Sequence, residues 1–200
     1  SAADPSGKSR CKAALQAELD LAVEPHVPLV GAVSRMVWQK GLDLLAEVIP
    51  QVLDWPMQFA VLGEGEPPLE ASFRRLQETY PGRVATTTGY DDRLARRIYA
   101  GADMFAMPSR YEPCGLGQMI AMCYGTVPVV SWTGGLADTV TEELPDRNGF
   151  VFGDLAATGL LHALGRANQA YHDRDGWAGI VRANLLRAPR QFSWDETARQ

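Results

Sequence analysis

Residues 102–131 read ADMFAMPSRYEPCGLGQMIAMCYGTVPVVS, and the reading of this stretch decides the fold. It opens on an apolar run, Ala102 to Met107, and closes on another, Val127 to Ser131. Neither run alternates polar with apolar residues, which is the pattern of strands covered on both faces. Between them Leu116, Met119, Ile120 and Cys123 recur at i, i+3, i+4 and i+7. That stripe predicts a helix over Gly115 to Tyr124, lying on a sheet. A strand, a helix and a second strand make a β-α-β unit, whose crossover leaves the two strands parallel and right-handed.

The same alternation continues on both sides. Val27–Val33, Met57–Leu62, Arg83–Thr86 and Phe150–Phe152 are further strands; Lys8–Leu21, Gly41–Leu53, Pro67–Tyr80, Asp91–Ala100 and Asp154–His172 are further helices. Asp91 is an expected N-cap and Gly101 an expected C-cap. Pro50 is expected to kink or end its helix. Trp177 and Trp194 are expected packing anchors in the helical C-terminal part. The fold class that follows is α/β, a doubly wound, Rossmann-like parallel sheet, with residues 1–200 as one domain.

Composition narrows the function classes. The chain has 200 residues, 46% of them hydrophobic, and its 24 acidic against 19 basic residues leave a net charge of −5. That balance argues against a general nucleic-acid or anionic-membrane partner. No apolar run approaches the roughly 18 residues of a membrane span. Cys11, Cys114 and Cys123 are too scattered for a disulfide framework, and His26, His162 and His172 do not fall at metal-ligand spacing. The chain opens on Ser1 without the apolar core of a signal peptide, and is read as a piece of a longer protein.

In open α/β sheets the ligand lies outside the carboxyl ends of the strands, which selects a few loops. Ser34 to Gly41 carries two cations, Arg35 and Lys40, able to hold a diphosphate or simply to be solvated. Gly63-Glu64-Gly65 lacks a third glycine and reads as an ordinary turn. Tyr90 stands at a strand end, placed to stack on a base or to pack. The loop from Pro108 to Gln118 sets a carboxylate, Glu112, beside Gly115 and Gly117, where backbone can approach a ligand. Trp132 to Asp138 supplies a second Gly-rich turn that opens a helix. Two neighbouring helix N-termini at one sheet edge favour a phosphate-bearing ligand.

Several of these stretches, in this order and spacing, resemble the glycogen and starch synthase family. They are SRMVWQKGLD, GYDD, PSRYEPCGL, AMCYGTVPVV and TGGLADTV, with a closing FSW at Phe192, Ser193 and Trp194. The resemblance implies the nucleotide-sugar-binding C-terminal half of a two-domain GT-B glycosyltransferase. It implies transfer of glucose from ADP-glucose to the nonreducing end of an α-1,4-glucan with retention, using no metal and no further cofactor. By motif, Arg35 and Lys40 would bind the diphosphate and Tyr90 would stack on adenine. Glu112 would be the essential carboxylate beside the transferred glucose. The backbone of Cys114, Gly115, Leu116 and Gly117, and the loop of Thr133, Gly134 and Gly135, would line the donor site. The glucan acceptor would be held through an N-terminal domain absent from this chain, so the isolated chain is expected to transfer little or no glucose. A bacterial glycogen synthase would be cytoplasmic, a plant or algal starch synthase stromal.

Ile120 stands where many retaining GT-B enzymes carry a second Glu, which starch and glycogen synthases commonly lack too, so the absence favours that family. Gly117 replaces the family's usual Thr, a loss of one phosphate hydrogen bond worth about 1 kcal/mol, and Val37 replaces another Thr. The competing readings are a GT-B domain for UDP- or GDP-sugars, a non-catalytic nucleotide-sugar-binding or regulatory domain, and a flavodoxin-like receiver. The last lacks an acidic cluster at its strand ends.

Overall fold

A computed structural model describes residues 6–193, so Trp194 lies outside the described residues. A first helix, α1 (Ser6–Glu18), precedes β1 (Leu29–Val33), and α2 (Leu42–Val52) leads to β2 (Gln58–Gly63). Then come α3 (Pro67–Thr79), β3 (Val84–Thr88), α4 (Asp92–Gly101) and β4 (Met104–Met107). The β-α-β unit continues through α5 (Gly117–Cys123) to β5 (Val127–Ser131), followed by α6 (Gly134–Thr139) and β6 (Phe150–Phe152). Two long helices, α7 (Ala157–His172) and α8 (Arg174–Gln191), complete the described chain. All six strands are parallel, in the order β3-β2-β1-β4-β5-β6. The order reverses between β1 and β4, the switch point at which such sheets open a crevice.

Each strand sends alternate side chains to opposite layers. Val30, Phe59, Val61 and Met104 face the core shared with α2, α3 and α7. Leu29, Ala60, Leu62 and Phe105 face the core shared with α1 and α4. Gly31 is needed for the second layer: a Cβ there would stand 2.6 Å from Ile98 Cγ2, so α4 lies directly on the β1 backbone. At the amino end of the sheet Lys12, 3% exposed, meets Asp103 at 2.7 Å. The Asp103 carboxylate also accepts from Leu29 N–H at 2.9 Å, which ties α1, β1 and the start of β4 together.

Two local expectations need correction, at Gly101 and Gly115. Gly101 is the last residue of α4 rather than its cap, which is Ala102. Its missing side chain serves packing instead, because a Cβ would lie 2.9 Å from Cys11 O and from Leu15 Cδ2 on α1. Pro50 is exposed and lies two residues from the end of its helix, α2, at Val52. The helix after the Glu112 loop starts at Gly117, not Gly115, because Gly115 adopts φ +70° and turns the chain before the helix begins. The Asp91 cap is as expected: its carboxylate accepts from Leu94 N–H at 2.9 Å.

Candidate functional site

The crevice is built by interlocking the loops after β1 and β4. Gly41 has φ +66°, and a Cβ there would collide with Pro108 O, so the two loops cross backbone against backbone. Arg110 N–H donates to Gln39 O at 2.9 Å, and Gln39 Nε2 donates back to Tyr111 O at 3.2 Å. The Arg110 guanidinium forks onto both Asp43 oxygens at 2.7 Å each and lies 4.7 Å from the centre of the Trp38 ring. Asp43 holds that guanidinium even more firmly protonated than an ordinary arginine, first through its hydrogen bond. Motif reading assigned Arg110 no role; the Asp43 that neutralises it lies 67 positions earlier, too far for local spacing to reveal.

This lock brings Lys40 and Glu112 together. Lys40 Nζ lies 2.6 Å from Glu112 Oε2, and Ser109 Oγ donates to the same oxygen at 3.2 Å. Glu112 is 7% exposed, yet it lines an open recess of about 240 Å³ together with Lys40, Arg35, Leu116 and Gly117. A second recess of about 240 Å³ adjoins it, lined by Arg35, Leu62, Gly63, Gly89, Tyr90 and Asp91. Val33, Ser34 and Arg35 border both. Arg35, an exposed residue, therefore stands between a largely apolar chamber and a polar one and borders both. Tyr90 is 86% exposed at the rim of the second, apolar chamber, which excludes the packing alternative for its ring.

The glycines of the second chamber do what the G-x-G fingerprint does not. A Cβ at Gly63 would meet Ser34 O at 2.0 Å, and one at Gly65 would meet Met36 O at 2.3 Å. These glycines let the loop after β2 close against the loop after β1 and so complete the chamber.

Thr133, Gly134 and Gly135 open α6 directly against the Glu112 loop. None borders either recess. A Cβ at Gly134 would meet Glu112 O at 2.1 Å and one at Gly135 would meet Cys114 O at 1.8 Å. Gly135 N–H donates to Glu112 O and Pro113 O at 3.1 and 3.2 Å. The start of α6 is thus closed onto the Glu112 loop, which its Gly135 N–H holds. Cys114 and Gly115 likewise shape the turn without bordering the recess, while Leu116 and Gly117, at the start of α5, do border it.

At Gly117 a Cβ would stand 3.0 Å from Met107 Sδ and 3.2 Å from Phe105 Cε1. The Met107 thioether therefore lies against the place where the family's Thr side chain would begin. Among the described residues no group of three or more His, Cys, Asp or Glu could hold a metal ion, and no helix is long and apolar enough to cross a membrane.

A parallel sheet in this order, with cationic and glycine-bearing loops around two joined chambers at its switch point, defines a Rossmann-like ligand-binding domain. The chain belongs to the glycosyl transferases group 1 family, which it matches over residues 27–168. It is 49% identical over 201 aligned residues to a glycogen synthase from Nitrosospira multiformis, covering 98% of this chain and 40% of that protein. The catalytic domain of starch synthase IV from Arabidopsis thaliana, solved bound to ADP and acarbose, superposes with a TM-score of 0.91 at 36% identity. That superposition covers all of this chain and 42% of the plant one. A sucrose-phosphate synthase from Thermosynechococcus elongatus follows with a TM-score of 0.73 at 25% identity, covering 96% of this chain and 48% of its own. The chain thus spans about two fifths of the curated relative it matches. The GT-B architecture and the likeness to glycogen and starch synthases implied by the motifs are both borne out.

Proposed function

We propose that this chain is the donor-binding domain of an enzyme that moves glucose from ADP-glucose onto the nonreducing end of an α-1,4-glucan, with retention. One observation carries the reading: Arg35 stands between a chamber rimmed by Tyr90 and a chamber holding Lys40 and Glu112. An adenosine diphosphate sugar has the same order of parts, a flat base, two phosphates and a sugar. The ADP in the starch synthase complex supports the choice of nucleotide.

In this reading adenine stacks at Tyr90, Arg35 and Lys40 hold the diphosphate, and Glu112 orients the glucose. The bond from the anomeric carbon to the phosphate oxygen breaks, and the acceptor hydroxyl oxygen bonds to that carbon from the same face. Its proton passes to the departing phosphate oxygen. Negative charge grows on ADP in the transition state, where fixed cations and the N–H groups opening α5 stabilise it most. The proposal assigns this work to the chain's own groups, with no metal or further cofactor. The acceptor glucan is held by the remainder of the enzyme, and the isolated chain turns over little or no glucose. Likeness to a bacterial glycogen synthase favours the bacterial cytoplasm over a plastid as its place of action.

Calorimetric titration of the chain with ADP, UDP and ADP-glucose tests the proposal. Binding of ADP and ADP-glucose in preference to UDP is expected. A folded chain that ignores ADP contradicts it, and a preference for UDP favours a different sugar nucleotide.

A further inference from the structure

Gln118 is a polar side chain with no exposed surface, in the first turn of α5. Its Nε2 lies 3.0 Å from Gly115 O and 3.0 Å from Thr139 Oγ1, with Gly135 O at 3.5 Å. Thr139 Oγ1 in turn donates to Gly135 O at 2.6 Å. One amide therefore bridges the turn after Glu112 to both ends of α6. Gly135 N–H already reaches back to Glu112 O and Pro113 O, so the bridge closes a ring of bonds around the Glu112 backbone.

The other end of the same amide has no partner. Gln118 Oε1 is buried without a hydrogen bond among the described residues. A Cβ on Gly115 would stand 2.6 Å from that oxygen, so only glycine leaves it room. An unpartnered buried acceptor opposes folding, and an apolar side chain of the same size would avoid it. The N–H end, with acceptors on two loops, is what the position gains from an amide.

Resting on the donor-site reading above, we propose that Gln118 is a positioning residue. It sets the Glu112 loop against α6, and thereby fixes where Glu112 and the start of α5 meet the phosphate and sugar end of the donor. It touches nothing in the chamber rimmed by Tyr90, which is built from the loops after β1, β2 and β3. The effect of losing its bonds therefore falls on one end of the ligand only.

The test compares adenosine with ADP. Calorimetry on the wild-type chain, Gln118→Leu and Thr139→Val measures both affinities, with thermal unfolding as the check on folding. Gln118→Leu is expected to weaken ADP binding about tenfold and Thr139→Val about threefold, each leaving adenosine affinity within about twofold. A folded Gln118→Leu chain with unchanged ADP affinity overturns the proposal. So does an equal loss for adenosine and ADP, which is the mark of a merely structural role. If Gln118→Leu does not fold, Thr139→Val decides by the same two readings. A wild-type chain that binds no ADP overturns the donor-site reading, and this inference with it.

Discussion

Lys40 and Glu112 are each other's counter-ion at 2.6 Å, so a phosphate entering the site competes with a carboxylate for one of its two cations. Replacing Glu112 by Gln frees Lys40 and removes a like charge from beside the phosphates. Glu112→Gln is therefore expected to bind ADP about fivefold more tightly than wild type by calorimetry, even where it abolishes transfer in the whole enzyme. Equal or weaker binding contradicts the competition. Gly117 carries an opposite lesson about restoring the family's residue. Because Met107 and Phe105 crowd the position where a Cβ would lie, Gly117→Thr is expected to lower stability by about 1 kcal/mol in thermal unfolding without tightening ADP binding. Arg35, Lys40 and Glu112 were legible because each follows a predicted strand. Their pairing was not, since Lys40 and Glu112 are 72 positions apart and only the crossed loops join them. Gly134 and Gly135 were legible as glycines, but their close approach to the backbone of the Glu112 loop was not, since it joins segments more than twenty positions apart.

At the scale of elements, hydrophobic period located the strands and main helices because the central strands are buried on two faces and each flanking helix on one; the edge strand β3 is buried only at Val84 and Ala85. Boundaries that depended on a partner went astray. Gly101 resembled a cap, yet its small size answers to α1 packing across α4, a contact that no local pattern contains. The break between α7 and α8 did fall where the pattern put it, after His172: Asp173 caps the next helix, its carboxylate accepting from Gly176 N–H at 3.2 Å. The anchoring of α1 gives a further test. Lys12→Met leaves Asp103 buried with Leu29 N–H and the more distant Lys8, but without the ammonium it pairs with directly. A loss of about 3 kcal/mol in denaturant unfolding is expected, because one partner of a buried ion pair is stranded. ADP affinity should not change, since this pair sits at the amino ends of the strands and the site at their carboxyl ends. A coupled loss of both would mean that α1 governs the site.

The whole molecule sets an acidic chain, of net charge −5, around a cleft whose outer cation is exposed and whose inner one is held by a carboxylate. Its strand order, fixed by topology rather than by local sequence, turns six loops toward one edge and opens the crevice where the order reverses. That placement puts two joined recesses of about 240 Å³ each, proposed to take the donor, on a domain spanning about two fifths of its curated relative. The most direct measurement is a crystal structure of this chain with ADP. Adenine against Tyr90, phosphates between Arg35 and Lys40, and the Lys40–Glu112 contact lengthened are the predicted result. ADP bound elsewhere, for example in the cleft between Lys8 and Arg174, with Arg35 and Lys40 untouched, would contradict the account.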